Sequence, residues 1–112
     1  VIHRHRQLWG LTVWRTLRSR WVLWLCPAGE CIPTHHHALM QATVQMLHGL
    51  MTWWKIEGHA KRCRRVDGHH RPVAIPAGVL HGAQAHEHSV FLVREDWLGP
   101  MRRSVTHDLI EA

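Results

Sequence analysis

Apolar runs in this 112-residue chain are short, and a turn-forming residue ends almost every one. No stretch sustains the i, i+3, i+4 spacing of an amphipathic helix, so the pattern argues for strands. Strands are predicted at Leu11–Arg15, Arg20–Leu25, His35–His37, Ala42–Leu47, Leu50–Ile56, Cys63–Val66, Val73–Ile75, Val79–Ala85 and Ser89–Val93. Between them, Pro27-Ala28-Gly29, His48-Gly49, Glu57-Gly58 and Asp67-Gly68 supply the backbone angles that tight reversals need. Many short strands at this spacing predict an all-β sandwich or barrel. The tail, 97–112, is read as partly irregular, with Asp108–Ala112 as a helical turn or loose chain.

The length predicts one domain, 1–112, with a single core. No apolar run is long enough to span a bilayer as a helix, and no secretion-signal pattern opens the chain. Three cysteines, Cys26, Cys31 and Cys63, make an odd number without framework spacing, which fits a reducing cytoplasm. The formal charge of +6 predicts attraction to anions. Its short basic clusters, such as Lys61–Arg65, read as solvated strand edges that resist pairing with other chains. Nucleic-acid binding is not expected, because Lys and Arg do not clearly interleave with aromatics on one face. Seven tryptophans are assigned to the core and to a homodimer interface. Trp53 and Trp54 alternate, so only one of them faces inward.

Two segments carry the chemistry. The first is Gly29-x5-His35-x-His37-x3-Gln41, and the second is Pro76-x-Gly78-x2-His81. In a strand, His35 and His37 point the same way, about 7 Å apart along the chain. Gln41 shares their parity if the strand bends without slipping. Pro76 and Gly78 make a tight turn, and the strand after it delivers His81. Thr43 and Gln45 share the parity of Gln41, and Ala83 that of His81, so all three are expected to line the pocket. The pairs His3/His5 and His86/His88 are read as chance spacings in a chain with 13 histidines.

These segments resemble the two motifs of the cupin superfamily, motif 1 over about 29–49 and motif 2 over about 68–85. The resemblance implies a double-stranded β-helix, or jelly-roll barrel. It also implies a divalent metal held by His35, His37 and His81, with Gln41 where the family has glutamate. Gln41 then either ligates through its carbonyl oxygen or hydrogen-bonds a metal-bound water or substrate, which makes it the candidate catalytic side chain. Gly49 falls one position later than the motif has it. Imidazole-rich sites suit Fe, Ni, Cu and Zn, with Mn disfavoured by the loss of the acid. The implied function is a non-haem Fe-type dioxygenase or related oxidoreductase acting on a small organic substrate. The alternatives are a metal-dependent isomerase or lyase, and a small-molecule or sugar binder without turnover.

Overall fold

Buried and exposed residues alternate along the strands of this computed structural model, as a pleated surface with one wet face requires. The structure describes residues 2–101 and the backbone of 109–111. Eleven strands and no helix form among them. In chain order these are β1 (Ile2–His5), β2 (Leu8–Arg15), β3 (Ser19–Cys26), β4 (Cys31–His37), β5 (Met40–His48) and β6 (Met51–Glu57). They continue as β7 (Ala60–Val66), β8 (Val73–Ile75), β9 (Leu80–Ala85), β10 (Ser89–Trp97) and β11 (Leu109–Glu111). One sheet runs β1-β2-β3-β10-β5-β8 and the other β11-β4-β9-β6-β7, with every pairing among the described residues antiparallel. The fold is a double-stranded β-helix, as the motif resemblance implies.

The core lies between the two sheets. Trp24, Val44 and Phe91 enter it from one side, and Ile32, Trp53 and Ala83 from the other. Trp53 and Phe91 meet edge to face with centroids 5.3 Å apart, so of the adjacent tryptophans it is Trp53 that faces in. Trp54 takes the other face, where its Nε1 donates to Thr34 Oγ1 at 3.0 Å. The basic strand β7 is a sheet edge with its arginines exposed, in keeping with a charged edge that discourages pairing. The outer face of β2 and β3 is apolar and open, with Trp9, Leu11, Val13 and Leu25 each about half exposed.

Three expectations change. Strand β4 starts at Cys31 and runs through Pro33, a residue that ordinarily argues against a strand. The ladder slips between Ile32 and His35, so Pro33 sits in a bulge that needs no N–H donor. Strand β1 was not anticipated. At the tail, 109–111 forms a strand rather than a helical turn, because Leu109 and Glu111 find ladder partners in His37 and His35. His107 and Asp108 lie outside the described residues. Among the described residues, no helix is long and apolar enough to cross a membrane.

Gly49 turns the chain from β5 into β6 at φ +90, and a Cβ there would collide with Ser89 and the carbonyl oxygen of His88. Gly58 also has positive φ, +64, but open space around it. Gly49→Ala is therefore expected to lower the unfolding free energy by more than about 1 kcal/mol. The loss should exceed that of Gly58→Ala when both are measured by urea denaturation.

Candidate metal centre

The bulge at Pro33 sets the site. Before it, Ile32 faces inward; after it, His35 and His37 do, with His36 turned away. Without the extra residue, alternation from Ile32 would bury Thr34 and His36 instead. His35 then lies directly opposite His81 of β9 in the ladder. The turn before β9, Pro76-Ala77-Gly78-Val79, closes with a Val79 N–H to Pro76 carbonyl bond of 3.2 Å, and Gly78 takes φ +81. The Gly78 N–H donates to the His37 carbonyl at 2.8 Å, which ties the second motif to the first.

The three rings converge. Their centroids are 4.2 Å apart for His35–His81, 5.0 Å for His35–His37 and 5.6 Å for His37–His81. One ring nitrogen from each lies within 4.8 Å of the others, a spacing at which three imidazoles can hold a metal ion. His35 Nδ1 meets the Pro33 carbonyl at 2.7 Å and His81 Nδ1 meets the Val79 carbonyl at 2.8 Å. A carbonyl only accepts, so each Nδ1 carries the proton and each Nε2 keeps its lone pair. His37 Nδ1 is buried without a hydrogen-bond partner.

Burial, reinforced by His81, pushes His35 down to a pKa of about 4. Burial, with His35 and His81 adding, pushes His37 down to about 3. Burial also lowers His81. All three are neutral at pH 7, the form that binds metals.

Gln41 is not at this centre. It is exposed, and its ladder partner is Asp96. Thr43 and Gln45 share its outward face, while Met40, Ala42 and Val44 point in and line the cavity. The turn at Ala38-Leu39 carries the chain from one sheet to the other, so parity counted from His37 does not survive it. The inward position next to Gln41 belongs to Ala42, which lines the same cavity as the three histidines. Ala83 faces inward, as expected, but it is fully buried in the core. Its ladder partners Ile32 and Trp53 line the cavity and Ala83 does not. Cys31 is half-buried, and none of the three thiols is in a disulfide.

Sequence reasoning missed two residues. His5, dismissed as a chance spacing, lines the cavity with its ring centroid 6.5 Å from that of His35. Glu95 of β10 lines it too and is completely buried. Glu95 lies between Arg20 on β3 and Ala42 on β5 in the sheet ladder. Its Oε1 accepts from Arg20 Nε at 2.8 Å and from Trp97 Nε1 at 2.9 Å. Burial pushes the Glu95 carboxyl above its ordinary range, and Arg20 and Trp97 offset part of that. The available signal was an inward parity shared with Phe91 and Val93.

No protein-family model and no curated protein matches this sequence. Solved structures do match in shape. KdgF from Halomonas sp. superposes with a TM-score of 0.76 at 19% identity, over 91% of this chain and 89% of that one. Oxalate decarboxylase from Bacillus subtilis gives 0.78 at 16% identity, over 99% of this chain and 29% of the other. A Klebsiella pneumoniae protein with a double-stranded β-helix domain gives 0.66 at 20% identity, over 82% and 75%. These likenesses establish the cupin fold.

The depressed histidines give the metal-free protein a defined acid sensitivity. Their folded pKa values lie below the unfolded 6.5, so the unfolded chain binds more protons between the two values. Stability is complete above about pH 7.5 and falls as pH drops through 6.5 toward 4. Urea titrations between about pH 7.5 and 5 should show a loss on the order of 1–2 kcal/mol per histidine. His37→Gln should flatten that slope.

Proposed function

We propose that this chain is a metal-dependent cupin enzyme in which His35, His37 and His81 hold one divalent ion. The observation that carries the reading is the convergence of three neutral, buried imidazoles within 4.8 Å. Two of them are fixed by backbone carbonyls so that Nε2 faces the ion. An all-imidazole donor set accepts Fe, Zn, Ni and Cu and suits Mn less; Fe²⁺ is preferred here for the oxygen chemistry that the motif resemblance implies. With three protein ligands, open coordination positions remain for substrate and O₂, which favours a dioxygenase-type oxidoreductase acting on a small organic molecule. When bound, the ion supplies Lewis acidity, undiminished by any carboxylate ligand because Ala42 stands at that place.

The chain's own residues do the rest. His35 and His81 keep fixed tautomers, Trp53, Phe91 and Val44 exclude water, and Glu95 offers a carboxylate oxygen on the wall. The apolar wall disfavours the sugar-binding alternative, whose hydroxyls would need many polar partners. The absent acid leaves room for a second reading, a small-molecule binder without turnover. Three free thiols fit a reducing cytoplasm.

The test is metal content. Untagged protein should carry close to one metal per chain by mass spectrometry, and the His37→Ala/His81→Ala variant none. Gln41→Ala should retain the parent's stoichiometry, because Gln41 faces solvent. No uptake after reconstitution with Fe²⁺, Mn²⁺, Ni²⁺ and Zn²⁺ would sink the metalloenzyme reading.

We also propose a homodimer through the outer face of β2 and β3. Trp9, Leu11, Val13 and Leu25 form a half-exposed apolar surface there, of the kind that marks interfaces. Sedimentation should find the parent dimeric and Leu11→Arg monomeric with unchanged circular dichroism.

A further inference from the structure

The cavity beside the histidines is walled mainly by hydrocarbon, from residues such as Leu8, Ile32, Val44, Ile75 and Phe91. Among the described residues, the one carboxylate on that wall is Glu95. Its Oε1 is fully engaged by Arg20 and Trp97, while its Oε2 is buried without a hydrogen-bond partner. Trp53 also lines the cavity, and its Nε1 is a buried donor without a partner.

We infer that the cavity binds a small, uncharged, mostly apolar molecule through a hydroxyl that donates to Glu95 Oε2. This deepens the metalloenzyme reading and rests on it for placing the ligand beside the ion. Leaving a carboxylate oxygen buried and unpaired is costly, and a ligand donor recovers that cost. Hydrogen bonds to charged groups are the stronger kind, so one hydroxyl suffices for orientation. Trp53 Nε1 offers the complementary donor for an oxygen of the ligand.

The wall disfavours two other classes. A carboxylate ligand would bring a second negative charge beside Glu95 at low dielectric. The cation there, Arg20, is already turned onto Glu95 at 2.8 Å. A polyol would lose water from several hydroxyls and meet mostly hydrocarbon. Size agrees with a compact ligand. The cavity measures about 80 Å³, and at about 10–15 Å³ per water-sized group it holds roughly five to eight of them. Phenol is of that size.

The probes are phenol, toluene and benzoate, which share a ring and differ in one substituent. Each is titrated into the 112-residue chain, as purified and after metal removal, by calorimetry and ligand-observed NMR. Phenol should bind at least about tenfold more tightly than either of the others. Replacing the buried pair by hydrocarbon, Arg20→Met/Glu95→Leu, leaves no orphaned charge and is the variant most apt to stay folded. In it, the preference for phenol over toluene should vanish. Glu95→Gln keeps an oxygen without its charge and should reduce the preference about threefold, which reads the same effect if the double variant does not fold.

Benzoate binding more tightly than phenol would overturn the inference. So would the absence of binding by any probe, or a phenol preference that survives loss of Glu95. Metal uptake is measured separately, so failure of the metal centre and failure of the hydroxyl contact give different results.

Discussion

Pro33 has no N–H to donate, and the bulge it occupies decides which way the histidines of β4 point. One extra residue between Ile32 and His35 lets three side chains face inward that strict alternation would divide between two faces. The same proline's carbonyl fixes the His35 ring at 2.7 Å. Everything at the centre follows from that local irregularity: the His35–His81 ladder pair, the convergence of His37, and the second turn's bond to the His37 carbonyl. Bulges beside functional sites re-aim side chains at the expense of a ladder bond, and here the lost donor is one that proline never had.

Burial then does two things at once. It strips the imidazoles of the water that would stabilise their charged form, so they stay neutral and keep their lone pairs. It also makes the metal-free site costly, with three close imidazoles and an unpartnered His37 Nδ1. An ion at this point would relieve the first of these costs. Metal binding here would thereby be linked to folding stability and to pH.

The acid of the site has a different home from the one the motif resemblance suggests. Ala42 fills the inward position on β5, and across the ladder Glu95 of β10 carries the carboxylate. Glu95 is held by Arg20 and Trp97 rather than by the histidines, and it forms part of the cavity wall. A buried pair of this kind adds little net stability over hydrocarbon, since its desolvation consumes most of its attraction.

Local chemistry determined much of this protein from the sequence alone. Short apolar runs and left-handed glycines specified an all-β chain, because turn residues act within a few positions. The motif histidines were legible because each sits a fixed step from a recognisable turn or from its neighbour. The tertiary structure alone decided what lies opposite them. Parity fails across the Ala38-Leu39 turn, where the chain changes sheets, and so Gln41 faces solvent and Ala42 the cavity. His5 reaches the wall only through the pairing of β1 with β2. Arg20 and Glu95 are 75 positions apart, and each alone reads as a solvated strand charge. Their burial depends on the register between β3 and β10, which is set by the packing of two whole sheets and not by any residue near either one.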